Sequence, residues 1–113
     1  MIHQMKLRSD PFERIKSGKK TIEIRLYDEK RRKIKEKDFI EFTNLDNGEL
    51  LKVKVIKLHL FKSFEELFNS FDKSYFGYDE EVSYEMMYDY YSKEEEREYG
   101  VVGIEIKLIN GDE

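Results

Sequence analysis

The chain has 113 residues, of which 39% are hydrophobic and 41% are charged, and it contains no cysteine. This length predicts one compact domain over residues 1–113. The lack of cysteine excludes disulfides, thiolate zinc sites and cysteine nucleophiles. No apolar run approaches the roughly 20 residues needed to cross a bilayer, and the first residues lack the apolar stretch of a signal peptide. We therefore expect a soluble cytoplasmic protein without a membrane partner.

The net charge of −4 conceals a marked asymmetry along the chain. Residues 1–62 carry 17 Lys and Arg against 10 Asp and Glu, whereas residues 63–113 carry 4 against 15. A protein that coats long duplexes nonspecifically is usually basic throughout. The distribution favours either a local cationic groove with acidic surroundings or two halves that neutralise each other across the fold.

The first elements are marked by clear start and stop signals. Weak alternation over residues 2–8 predicts a short strand. Asp10 and Pro11 then suit the N-cap and first position of a helix, and Gly18 suits its left-handed C-terminal cap. The next strand is predicted over residues 20–26, where apolar and polar side chains alternate.

The middle of the chain predicts a polar connection followed by a hairpin. Residues 27–37 are rich in cations and have one aliphatic anchor, Ile34. Residues 39–43 form the next predicted strand, and Asn47-Gly48 is a strong turn signal before a return strand over residues 50–60.

The last third predicts short helices before a final strand. Capping-box patterns begin at Ser63 and Ser92, and a second helix is predicted over about residues 82–91. Gly100 precedes an alternating strand, and residues 110–113 are expected to fray. The order of elements predicts an α+β domain built on a small, partly closed β-barrel with flanking short helices. Packing in the core is the favoured interpretation of Tyr84, Met87, Tyr88 and Tyr91, which recur at helical spacing.

The polar face of the strand over residues 20–26 is the first candidate site. Glu23 and Arg25 lie two residues apart, about 6–7 Å along an ideal strand, and therefore on one face. They either pair with each other or meet a ligand. Strict alternation puts Lys20 on the opposite face from Glu23, although a twist after Gly18 would bring the two together.

Cations and exposed aromatic residues provide further candidates. Arg31 and Arg32 are the preferred phosphate contacts in the basic segment, because a guanidinium can form paired hydrogen bonds to phosphate. A solvated loop is the alternative interpretation of that segment. Tyr27 and Tyr78 lie outside the core stripe and are free to stack on a base. The two histidines, His3 and His59, are isolated in the sequence, so no metal site is predicted.

With these residues the chain resembles the ASCH domain family, a branch of the PUA-like superfamily. The family pattern G-x-K-x-x-E-x-R is matched by Gly18, Lys20, Glu23 and Arg25, and Asp38 and the terminal G-V-V-G-I-E-I strand also resemble the family. The resemblance covers nearly the whole chain. It implies a β-barrel with flanking helices, a cleft beside the motif and binding of RNA.

Some small bacterial members of this family are hydrolases of N4-acetylcytidine or, by report, of RNA. Their working groups are a lysine, a threonine three residues later and a distant glutamate. Lys20 matches the lysine, but Glu23 occupies the threonine position. The resemblance leaves three candidates for the distant carboxylate: Glu80, Glu81 and Glu85.

We therefore predict a protein that binds single-stranded RNA or a modified nucleoside in a cationic cleft, without a cofactor. Glu23 would accept a hydrogen bond from an exocyclic amine such as that of cytosine. The alternatives are a hydrolase that uses Lys20 and Glu23 for catalysis, and a protein-interaction module. The predicted binding residues are Lys19, Lys20, Glu23, Arg25, Tyr27, Arg31, Arg32 and Tyr78.

Overall fold

The computed structural model describes residues 1–109 of the chain, so the tail at 110–113 lies outside the described residues. In these residues five strands are combined with three α-helices and three short 3₁₀ helices. The strands are β1 (Ile2–Leu7), β2 (Ile22–Leu26), β3 (Phe39–Asn44), β4 (Leu50–Phe61) and β5 (Val101–Leu108). The α-helices are α1 (Ser9–Lys16), α2 (Phe64–Ser70) and α3 (Lys93–Tyr99), and the 3₁₀ helices are Arg31–Lys33, Lys73–Tyr75 and Tyr84–Asp89.

The five strands form one mixed sheet in the order β1-β3-β4-β5-β2. β1 runs parallel to β3, and all other neighbours are antiparallel. The 12-residue strand β4 has a bulge between Val55 and Lys57, which bends the strand and increases its local twist. The sheet curls into a half-barrel whose edges are β1 and β2. The predicted α+β fold with a partly closed barrel and short flanking helices is confirmed.

Two apolar clusters form the core. In the first, Phe12 and Ile15 of α1 pack with the barrel residues Phe42, Val53 and Ile104. The second is more aromatic and joins β2 to α2 and the segment after α2. Its buried members are Ile22, Ile24, Leu26, Phe64, Leu67, Phe76, Met87 and Val101. Within the described residues, no helix is long and apolar enough to span a membrane.

Two predicted helices differ from the structure in detail. α1 begins at Ser9, whose N–H donates to Asp46, so Asp10 lies inside the first turn and pairs with Arg14 instead of capping the helix. The α-helix predicted over 82–91 is wrong in type, because this segment forms a 3₁₀ helix over Tyr84–Asp89. Tyr88 contacts Phe64 of α2 edge to face, and the segment packs in the second apolar cluster, so tertiary packing overrides helix propensity here.

Candidate functional site

Lys20, Glu23 and Arg25 are brought together by an irregular start to β2. Gly18 adopts a left-handed conformation, with φ +81°, just after α1. Lys20 then forms an isolated antiparallel bridge with Phe76, and β2 begins only at Ile22. Because the chain is not a regular strand between Lys20 and Glu23, strict alternation does not apply. The Lys20 ammonium and the Glu23 carboxylate therefore meet.

Glu23 is a buried carboxylate, only 3% exposed, with four donor nitrogens within 3.2 Å of its oxygens. Lys20 Nζ lies 3.0 Å from Oε1, and the backbone N–H of Ile24 donates to the same oxygen over 3.2 Å. Arg25 Nε donates to Oε2 over 3.0 Å, and Nη2 lies 2.9 Å from the same oxygen. An ionised carboxylate has about four lone-pair positions, so these donors satisfy its acceptor capacity.

The charges around Glu23 determine its ionisation. Burial by itself would raise the pKa of Glu23, but the charges of Lys20 and Arg25 and their hydrogen bonds outweigh burial and lower this pKa to about 2. Burial likewise opposes the charge on Arg25, and the Glu23 carboxylate reverses this effect and raises the pKa of the guanidinium. Glu23 is therefore a fixed negative charge at neutral pH.

These three residues line a cleft of about 470 Å³, which we call the first cleft. Five cationic residues and two carboxylates lie along it, together with an apolar and aromatic side. Tyr78 lies at the cleft with the Arg14 guanidinium 4.3 Å from its ring centroid. The lining side chains that are aromatic or contain sulfur are Phe68, Phe76, Tyr78, Met86, Met87, Tyr90 and Tyr91.

A second cleft of about 420 Å³ adjoins the first. Lys6 and Arg25 border both clefts, and Arg25 Nη2 donates to the Lys6 carbonyl over 2.9 Å. This hydrogen bond joins β1 to β2, the two edge strands of the half-barrel. The remaining lining residues of the second cleft are Gln4, Met5, Lys30, Arg31 and Thr43.

The predicted binding residues fall into three groups. Lys20, Glu23, Arg25 and Tyr78 line the first cleft, and Arg31 lines the second. Lys19, Tyr27 and Arg32 line neither of these two clefts.

The residues outside the clefts have structural contacts of their own or face solvent. Lys19 is exposed. Arg32 packs over the Tyr27 ring at 4.4 Å and donates to the Tyr99 carbonyl. Ligand contacts by these residues remain a prediction that their positions do not support.

Sequence reasoning missed several cleft residues because their order in the chain gives no sign of the cleft. Tyr90 and Tyr91 follow the 3₁₀ helix Tyr84–Asp89 and line the first cleft. The helical spacing of Tyr91 in the sequence predicts only a core residue. Arg14 lies on α1, and Lys6 lies on the edge strand β1. The one usable signal is the aromatic density of residues 84–91, which is greater than a single buried stripe requires.

The candidate distant carboxylates lie elsewhere. Glu80, Glu81 and Glu85 are exposed and do not line the first cleft, so the structure does not bring these three candidates to the site. Glu81 lies 3.5 Å from Lys73. The Ser83 hydroxyl accepts from the Glu85 backbone N–H and donates to the Glu85 carboxylate.

Each histidine is paired with a carboxylate. The ring of His3 contacts Asp38 at 2.8 Å, and the ring of His59 contacts Glu105 at 2.9 Å. In the described part of the chain, no group of three metal-ligating side chains is assembled.

Comparison with known proteins places the chain in a family. The crystal structure of hypothetical protein PH0355 is similar at 41% identity and a TM-score of 0.84, covering 96% of this chain and 100% of that chain. The solution structure of protein PF0455 from Pyrococcus furiosus is 38% identical with a TM-score of 0.74, covering 97% and 99%. No curated protein matches. The family model for the ASCH domain matches residues 5–110, so this chain belongs to the ASCH domain family.

Proposed function

We propose that this protein binds a base of single-stranded RNA, or a modified nucleoside, in the first cleft. The observation that carries the proposal is the Lys20 ammonium, held by buried Glu23 inside a concave, aromatic-lined cleft. A volume of about 470 Å³ lies within the range of small-molecule sites, which take drug-sized ligands.

Lys20 is the proposed polar contact to the base. Its ammonium has three N–H donors, and the ion pair with Glu23 accounts for one of them. The others can be offered to a base carbonyl oxygen, such as O6 of guanine or a pyrimidine carbonyl. Glu23 has its acceptor positions occupied by Lys20, Ile24 and Arg25. The proposal therefore assigns recognition of the base to Lys20 and the positioning of Lys20 to Glu23.

The aromatic side of the cleft supports stacking of a base. Tyr90 is 60% exposed, and Tyr78 and Tyr91 lie along the same cleft. Stacking on aromatic side chains contributes about 1–3 kcal/mol per base in single-strand binding. A base can enter such a cleft only when it is unpaired, which favours single-stranded RNA over a duplex.

The hydrolase alternative has less support. A carboxylate with a pKa of about 2 is a weak base at neutral pH, so Glu23 is poorly suited to activate water. The other carboxylate lining the first cleft, Asp10, forms an ion pair with Arg14 at 2.7 Å.

Fluorescence anisotropy tests the binding proposal. Short labelled RNAs of each base composition would be titrated with wild type, Lys20→Ala and Lys19→Ala at two salt concentrations. Lys19 is the matched control, because it is adjacent and exposed but does not line the cleft. We expect Lys20→Ala to weaken binding about tenfold and Lys19→Ala to have a small effect. Equal losses in both variants would contradict the role of Lys20, and no binding at low salt would favour the protein-interaction module.

A parallel assay separates binding from catalysis. Wild type and Lys20→Ala would be incubated with N4-acetylcytidine and with a short single-stranded RNA, followed by chromatography. We expect both compounds to be recovered unchanged. Turnover by wild type that disappears in Lys20→Ala would replace the binding proposal with the hydrolase.

A further inference from the structure

We propose that the second cleft is a phosphate site, so that the ligand is a nucleotide unit whose phosphate lies beside its bound base. The position of the base rests on the function proposed above. The phosphate site itself rests on a separate set of residues.

The second cleft is lined by donors. Four of its seven lining residues are the cations Lys6, Arg25, Lys30 and Arg31, and Gln4 and Thr43 add neutral donors. No carboxylate is among the lining residues described for this cleft. A concave surface with four cations and no lining carboxylate is chemically suited to an oxyanion.

Arg31 is oriented for this role by its own loop. Asp28 accepts from Arg31 Nη1 over 2.9 Å and from the Arg31 backbone N–H over 3.1 Å. These contacts use Nη1, so the edge of the guanidinium that carries Nε and Nη2 takes no part in the pairing with Asp28. Nε is buried and has no hydrogen-bond partner among the described residues. A buried donor without an acceptor is unfavourable, so Nε would gain from a phosphate oxygen, which it reaches once the Arg31 side chain shifts towards the cleft.

The electrostatics of Lys30 support the same conclusion. Lys30 is exposed as a residue, but partial desolvation of its ammonium comes first among the effects that lower its pKa. The charges of Arg31, Arg25 and Lys6 lower this pKa further. Asp28 only partly opposes them. The cations of the second cleft therefore repel one another, and a bound phosphate would relieve this repulsion.

Continuity between the clefts connects the phosphate to the base. Lys6 and Arg25 border both clefts, and the hydrogen bond between them lies at the boundary. A nucleotide can therefore place its base in the first cleft and its phosphate in the second. A nucleoside would leave the second cleft without its anion.

The test uses inorganic phosphate and nucleotides as separate probes. Phosphate would be titrated into ¹⁵N-labelled protein at constant ionic strength, with chloride as the compensating ion, while arginine Nε–Hε signals are followed by NMR. We expect a saturable shift at Arg31 in wild type. The Arg31→Gln variant should lose saturable shifts at neighbouring backbone amides such as that of Lys30. Arg32→Gln is the matched control and should retain them, because Arg32 packs on Tyr27 outside the cleft.

A second titration compares the four nucleosides with their 3′- and 5′-monophosphates. We expect one monophosphate series to bind about tenfold tighter than its nucleosides, a ratio that falls towards one in Arg31→Gln and persists in Arg32→Gln. Lys30→Gln, a change at an exposed lysine, should reduce the ratio even if Arg31→Gln fails to fold.

The two proposals fail differently. Shifts with phosphate that match those with chloride, together with equal affinities for nucleosides and nucleotides, would overturn the phosphate site and leave base binding intact. Saturable phosphate binding at Arg31 without nucleoside or RNA binding would support the phosphate site and overturn the proposed function.

Discussion

Glu23 and Glu96 are both buried carboxylates, but their partners differ in kind. Glu23 is 3% exposed and is paired with the cations Lys20 and Arg25 at the first cleft. Glu96 is 7% exposed and accepts from neutral donors, namely the Tyr88 hydroxyl at 2.9 Å and the backbone N–H of Phe64 at 2.8 Å.

The partners indicate the role of each carboxylate. Glu96 on α3 accepts from the first N–H of α2 and from the Tyr88 hydroxyl in the 3₁₀ helix Tyr84–Asp89. It therefore connects three elements of the fold. Glu23 instead concentrates charge where the chain forms a cleft. Burial of a carboxylate therefore does not by itself mark a candidate site. What distinguishes Glu23 from Glu96 is its pairing with cations that border a concave surface.

Glu23→Gln and Glu96→Gln should separate the two carboxylates most strongly. The NH₂ group of the new amide is a donor, and it would face Lys20 or Arg25, whose side chains are also donors. The uncharged amide would leave both cations without a counter-charge. We expect a loss of about 3–5 kcal/mol in the free energy of unfolding. For Glu96→Gln we expect about 1 kcal/mol, because the Tyr88 hydroxyl can also accept a hydrogen bond. Urea unfolding at pH 7 measures both, and equal losses would contradict the distinction.

The pH dependence of stability tests the charge of Glu23 directly. Its pKa is about 2 in the folded protein, against an ordinary value of 4.5. The ionised carboxylate therefore stabilises the fold above about pH 4.5, and this contribution disappears as the pH falls towards 2. We expect wild type to lose about 3 kcal/mol of stability through this group.

The measurement is the difference in unfolding free energy between wild type and Glu23→Gln over that pH range. Other carboxylates whose pKa is lowered, such as Asp38, contribute equally to both proteins and cancel. A difference that stays constant from about pH 5 to about pH 2.5 would contradict a charged, cation-paired Glu23.

Gly77 follows Phe76, the bridge partner of Lys20, and packs closely against Lys20 and Arg14. A Cβ at Gly77 would lie 2.9 Å from Arg14 Cδ and 3.2 Å from Lys20 Cβ, and its φ is +82°. Gly48 has a similar φ of +77°, and a Cβ there would meet nothing within 4 Å, so Gly48→Ala is the matched control for backbone strain. We expect about 1 kcal/mol of destabilisation for Gly48→Ala and about 2–3 kcal/mol for Gly77→Ala, measured by urea unfolding. Only Gly77→Ala should also weaken RNA binding by anisotropy.

The sheet could be predicted because its signals are local. Alternating side chains mark β5, Asn47-Gly48 marks the hairpin, and Ser92 with Glu95 forms the predicted capping box. The segment of Tyr84–Asp89 is predicted less well, since its conformation follows from how its rings pack against distant parts of the chain.

The candidate site could be predicted only in part. Glu23 and Arg25 lie two residues apart on one face of the predicted strand, so their proximity follows from the local chain. The saturation of Glu23 by its neighbours depends on the irregular backbone before β2, which the alternation does not reveal. The contribution of Lys6 to both clefts follows from closure of the half-barrel, a contact between β1 and β2 that no local pattern encodes.

Tyr88→Phe gives the smallest expected effect and examines the Glu96 side of the comparison. Burial, followed by the hydrogen bond and charge of Glu96, raises the pKa of Tyr88 to about 12 from an ordinary value of 10. The hydroxyl therefore stabilises the fold below about pH 10, and this contribution is lost as the pH rises through 12. At about pH 8 we expect Tyr88→Phe to lose about 1 kcal/mol, measured by urea unfolding, because Glu96 keeps Phe64 N–H but loses the hydroxyl. Tyr90→Phe, at a ring that is 60% exposed, is the control and should change little. A loss at Tyr88 as large as that of Glu23→Gln would mean that a neutral donor supports a buried carboxylate as strongly as two cations do, and the contrast between the two sites would no longer hold.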